Sequence, residues 1–154
     1  MRLCHWATRT QLAPWGLGLH PKEVLGNRIL AACLSIIAVC DELGIPWTLE
    51  QPQGSLMWAI PELHSSIYSR ACYEAVFDWC QWGHPWRKRI MVRGRPPWLP
   101  SLSRKCQGGH SHLTLEGKVH VPGRGQRNLT EIAAEYSTEW CQAYAQLAHR
   151  SNLI

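Results

Sequence analysis

The chain has 154 residues, and its 45% hydrophobic content gives room for one domain with a core of ordinary size. It is basic, with 16 Lys and Arg against 11 Asp and Glu. Ten of those cations (Arg87, Lys88, Arg89, Arg93, Arg95, Arg104, Lys105, Lys118, Arg124 and Arg127) fall between residues 87 and 127, opposed by Glu116 alone. Such a run raises the local concentration of polyanions, so nucleic acid, DNA before RNA, is the leading partner class; a basic loop that only keeps the chain soluble is the alternative. The seven cysteines are odd in number and scattered, which excludes a tight disulfide framework. With no signal peptide recognised, an intracellular setting is expected, nuclear or cytoplasmic being left open, and the sequon Asn128-Leu129-Thr130 then carries no glycosylation meaning. The longest apolar run, Ile29 to Cys40, is bracketed by Arg28 and Asp41 and falls short of the roughly 20 residues a bilayer demands, so no membrane span is expected.

In chain order, residues 1–21 contain Pro14, Gly16, Gly18 and Pro21 without periodicity and read as a loop entering the fold. Val24, Leu30, Cys33, Ile37, Cys40 and Leu43 return to one face at steps of three or four, predicting a helix from about Lys22 to Leu43 that Gly44 stops. Ile45 to Leu49 predicts a short buried strand ending in the carboxylate of Glu50. A short helix is expected around Ser55 to Arg70, then a strand over Tyr73 to Cys80. A turn at Trp82-Gly83-His84-Pro85 leads to a returning strand over Arg89 to Arg93, making an antiparallel hairpin. Residues 94–127, rich in Pro, Gly and Arg, read as a basic loop apart from a strand candidate at His112 to Leu115. Ile132, Tyr136, Trp140, Ala143, Tyr144 and Leu147 mark a C-terminal amphipathic helix over 128–150, capped by Asn128 or Thr130. The organisation expected is one α/β domain with a loop at 1–21, an α/β core at 22–93, the basic loop at 94–127 and the final helix.

In an open α/β sheet, ligands gather outside the carboxyl ends of the strands, which puts Glu50 at a functional edge. A turn-bonding carboxylate is its plainer role. Two segments carry a family likeness: Glu50-Gln51-Pro52, and Trp82-Gly83-His84-Pro85-Trp86-Arg87-Lys88-Arg89-Ile90-Met91-Val92. Together with Gly26-Asn27, Ile45-Pro46-Trp47 and Ser55-Leu56-Met57-Trp58, they resemble the cytosine (5-position) DNA methyltransferases, and more closely a divergent group of DNA-methylase-like proteins. The likeness spans about residues 4 to 118. It implies part of a Rossmann-like class I methyltransferase fold, the C-terminal portion only.

By that resemblance Cys4, in Cys4-His5-Trp6-Ala7-Thr8-Arg9, stands where the family has its nucleophile, although Leu3 replaces the proline before it. Glu50 would stabilise the charge that develops on the ring when a thiolate attacks cytosine, and Arg87 and Arg89 would clamp the flipped nucleotide. An exposed strand edge guarded by charge is the other reading of those arginines. With Lys88, Arg93, Arg95, Arg104 and Lys105 they make up the expected nucleic-acid contacts. The family's glycine-rich loop for S-adenosylmethionine precedes the nucleophile, and nothing upstream in this sequence supplies it, so the cofactor half is expected to be missing or to come from a partner chain. The function expected is therefore a truncated or degenerate DNA methyltransferase-like protein, inactive alone; a non-catalytic nucleic-acid-binding module or a mobile-element remnant is the alternative.

Cys106, His110 and His112 offer zinc-type ligands, with His120 downstream and Cys80 a candidate neighbour, but one Cys-x-x-x-His-x-His group lacks the paired spacing of a zinc finger, so loop histidines without a ligand are expected. Trp82, Trp86 and Trp98 interleave with the cations as stacking residues do in single-strand binders, whereas Trp47, Trp58 and Trp79 are expected in the core.

Overall fold

A computed structural model describes residues 8–151. The chain is mixed α and β with small antiparallel sheets, and its described residues divide into two compact units, one made of residues 8–73 and 93–97 and the other of residues 74–92 and 98–151.

In the first unit, helix α1 runs Pro21–Leu43. Pro21 sits in its first turn, where a missing N–H costs nothing, and His20 caps it by accepting the Lys22 N–H at Nδ1, 3.1 Å. The helix stops where Gly44 takes a left-handed conformation and donates its N–H to Cys40. Glu23, Leu30 and Ile37 are buried, while Leu25, Ile29, Ile36, Val39 and Leu43 lie exposed on another face. Of the stripe read from the sequence, Leu30 and Ile37 are buried, Val24, Cys33 and Cys40 are half-buried, and Leu43 is 68% exposed. The helix continues through Arg28, so the 23-residue element, unlike the shorter apolar run from which no span is expected, is long and apolar enough by length and composition to cross a bilayer.

Residues 8–18 are not a free loop. The Glu23 carboxylate gathers them by accepting hydrogen bonds from the Thr8 hydroxyl and N–H and from the Gly18 N–H. The Thr8 hydroxyl bond does most to hold the Glu23 pKa below its ordinary value, against the opposing effect of burial. Asn27 joins in, donating to the Trp15 carbonyl and accepting from Arg9.

Strand β1 spans Thr48–Pro52, beginning later than the sequence implies, so that Glu50 lies within the strand and not at its end. The helix expected over 55–70 is two elements. A 3-10 turn at Leu56–Ala59 is capped by Ser55, and α2 follows at Pro61–Ser69. Pro61 forces the break, because the residue before a proline is pushed out of helical geometry and Ile60 is extended.

The first unit also holds a bidentate ion pair. Arg95 Nε and Nη2 reach Asp41 Oδ1 and Oδ2 at 2.8 and 2.6 Å. The same guanidinium donates to the carbonyls of Ser66, Arg70 and Ala71 at the end of α2, and it lies over the Trp47 ring.

In the second unit, β2 (Tyr73–Asp78) leads through a 3-10 turn at Trp79–Trp82 to β3 (Arg89–Gly94). The two strands are sheet neighbours, as the expected hairpin requires. Phe77, Trp79, Trp82, Ile90, Val92, Leu99 and Leu102 form the core, with Phe77 edge-on to Trp79 at 5.0 Å. Residues 94–127 are more structured than a loop. They contain a 3-10 turn at Leu99–Leu102, then β4 (Lys118–Val121) paired antiparallel with β5 (Gly125–Asn128), Lys118 opposite Asn128. Residues 112–115 form no strand. The C-terminal helix is likewise split, into α3 (Leu129–Ile132) and α4 (Thr138–Arg150). The cap of the longer one is Ser137, whose hydroxyl accepts the Trp140 N–H at 3.1 Å, and not Asn128 or Thr130.

Candidate metal-binding and nucleic-acid-facing site

Glu50 belongs to the first unit and is half-buried in β1. Beyond the end of that strand lies an open cleft lined by Gln11, Gln53, Ser55, Trp58 and His64. Cys4 lies outside the described residues. Gly16 and Gly18 precede α1 in a way that could suggest a glycine-rich cradle, but the Glu23 carboxylate fills it: a Cβ on Gly16 would meet Glu23 Oε1 at 2.2 Å. Among the described residues no strand precedes α1 either. Gly16 and Gly18 therefore form no open cradle for S-adenosylmethionine.

Arg87 and Arg89 belong to the second unit, and both turn onto Asp78, the last residue of β2. Arg89 Nε and Nη2 donate to the two Asp78 oxygens at 3.0 and 2.9 Å, and Arg87 Nε lies 3.6 Å from Oδ1. Asp78 is fully buried, whereas Arg87 and Arg89 leave 45% and 37% of their side chains in solvent. Burial alone would raise the Asp78 pKa. The Arg89 fork, the Cys106 N–H and the two guanidinium charges outweigh it and lower the pKa overall. Lys88 is also used within the chain, donating to the Ala133 carbonyl at 3.1 Å.

Among the remaining cations, Arg93 lies over the Trp58 ring and Arg95 is the partner of Asp41, both within the first unit. Arg124 and Arg127 pair with Glu135 and Glu131. Arg104 is exposed and stacks its guanidinium 3.7 Å above the Trp82 ring. Lys105 and Lys118 are exposed, with no side-chain partner among the described residues. Trp82 and Trp86 are only 2% and 6% exposed, so they are core residues and not open stacking platforms. Trp98 donates its indole N–H to Ser151 and meets Tyr144 edge-on.

Asp78 organises a second group of side chains that spacing alone did not assemble. Its Oδ2 accepts the Cys106 N–H at 2.8 Å. Around the buried Cys106 thiol, His112 Nε2 lies at 3.5 Å and His110 Nε2 at 3.9 Å, and the Gly108 N–H points at the same sulfur from 3.3 Å. Cys80, two residues after Asp78, completes the group, and all four ligand-type atoms lie within 4.8 Å of one another. Burial, reinforced by contact with Cys106, pushes the Cys80 thiol up. The sequence signal for Asp78 was present: an acid closing an apolar strand, with Arg87 and Arg89 opening the strand that returns beside it.

No family model, curated protein or solved structure matches the chain.

Proposed function

We propose that the chain is a DNA-binding protein of cytosine (5-position) methyltransferase-like type, built on part of a Rossmann-like fold and performing no methyl transfer by itself. The observation that carries the binding half of this reading is the division of labour among the cations. Arg87, Arg89, Arg95, Arg124 and Arg127 face carboxylates of the chain itself, whereas Arg104, Lys105 and Lys118 stay exposed with no acidic partner among the described residues. Arg104 is also pre-oriented by the Trp82 ring, which lowers the entropy lost when it meets a phosphate.

The methyltransferase part of the reading rests on the resemblance, supported by Glu50 standing on a strand that opens into a polar cleft. In an assembled enzyme, S-adenosylmethionine would supply the methyl group, and a partner chain would have to bind it. Glu50 would then hold a proton at the cytosine ring nitrogen.

The test is duplex DNA binding by fluorescence anisotropy across salt concentrations. Three phosphate contacts predict a log–log slope of about −2.7. A salt-independent affinity would remove the reading. The purified chain incubated with DNA and labelled S-adenosylmethionine is expected to transfer no label, and transfer by the chain alone would contradict the second half of the proposal.

A further inference from the structure

We propose that Cys80, Cys106, His110 and His112 form a tetrahedral site for a single zinc-class divalent cation in the second unit, a property that goes beyond nucleic-acid binding and does not depend on it. Two thiols and two imidazoles are the borderline-soft donors that select zinc over magnesium or calcium. The distances fit. With metal–sulfur bonds of about 2.3 Å and metal–nitrogen bonds of about 2.0–2.1 Å, the edges of a tetrahedron fall at roughly 3.6 Å for S···N and 3.8 Å for S···S. The S···N edges from Cys106 are 3.5 and 3.9 Å, and the four donors all lie within 4.8 Å of one another, so the widest edge needs to contract by on the order of 1 Å to close on a metal.

The chain around the site supports such a cluster. Gly108 and Gly109 both adopt positive φ, 86° and 83°, which folds the backbone sharply enough to bring His110 and His112 back to Cys106. The Gly108 N–H directed at the Cys106 sulfur and the Asp78 carboxylate holding the Cys106 N–H are the outer partners that orient a thiolate ligand. Residues 103–117 contain no helix or strand, and a segment of that length without regular structure needs another anchor. A metal joining Cys106, His110 and His112 to the Cys80 turn supplies one.

The full-length chain is the material for the test. Zinc is counted per chain by mass spectrometry after purification; the metal is then stripped by chelator and replaced with zinc or cobalt(II). The expected result is one zinc per chain, tetrahedral cobalt bands accompanied by thiolate-to-cobalt charge transfer, and a melting temperature raised by about 10 °C or more at saturating zinc. His110→Ala removes an exposed ring from the cluster and leaves the core intact, so it is expected to fold and to weaken zinc binding by at least about tenfold. Cys106→Ser should abolish the charge-transfer band. Metal-free protein whose melting ignores added zinc, or stoichiometric zinc retained unweakened in both His110→Ala and Cys80→Ser, would overturn the site.

Discussion

Arg95 lies in the basic segment that composition marks for nucleic acid, yet its contacts are internal, and Arg95→Ala separates the two roles. Its side chain is 12% exposed and that of Asp41 16% exposed. Removing the arginine leaves a largely buried carboxylate that keeps the Trp47 indole N–H, at 2.8 Å, and strips donors from three carbonyls at the end of α2. Breaking a fully buried pair from one side costs about 3–5 kcal/mol. Here the residual exposure and the ability of water to reach the Arg70 and Ala71 carbonyls argue for the lower end, about 3 kcal/mol. For a unit of this size that corresponds to a fall in melting temperature of roughly 12–24 °C. Calorimetry of the variant beside the parent measures it. Arg95→Lys keeps the charge but not the fork, and should recover less than half of the loss. A melting temperature within about 2 °C of the parent, combined with weakened DNA binding, would refute the structural assignment of Arg95.

The same pair gives the first unit an acid-sensitive component. The Arg95 hydrogen bonds, working against burial, hold the Asp41 pKa below its usual value, so its stabilisation is complete above the unfolded value near about 3.9 and is lost as pH falls through the lower folded value. Melting followed from about pH 6 down to about pH 2 should show an acid loss in the parent that is smaller in Asp41→Asn; identical profiles would count against it. Gly94→Ala should cripple folding, since a Cβ there would lie 2.2 Å from the Trp47 carbonyl oxygen and 2.9 Å from Thr48 Cα; a soluble variant with unchanged melting would show that the strands yield more than this contact suggests. Ser137→Ala should cost about 1 kcal/mol by removing the cap of α4, measurable by urea unfolding, and a neutral effect would mean that water replaces the hydroxyl.

How far the sequence could be read depended on where local signals and burial agreed. Helix α1 was legible because Pro21 opens it, Gly44 closes it and apolar residues recur between them at helical steps. The β2 and β3 strands were legible for a similar reason, their apolar residues being buried and their turn marked by Gly83. The β4 and β5 pair was not. All eight of its residues except Val121 are exposed, so no alternation betrays it, and Gly117, Gly123 and Gly125 read as loop. Glu50 was placed on a strand by the sequence, but it lies within β1 and not at its end. Local spacing brought out Cys106, His110 and His112 and offered Cys80 as a neighbour without a spacing to support it, because Cys80 comes from another element and joins through the fold. Charge counting failed differently: it recognised ten cations but not that Asp78 and Asp41 had already engaged three of them.

The claim that DNA is held by the cations left over from these internal pairs is tested most directly by one variant, Arg104→Ala/Lys105→Ala/Lys118→Ala, measured against duplex DNA across a salt series. All three side chains are exposed, so melting should change little. The log–log slope should fall by about 0.9 for each residue and come close to zero. A folded variant that binds DNA with the parent's affinity and salt dependence would contradict the account.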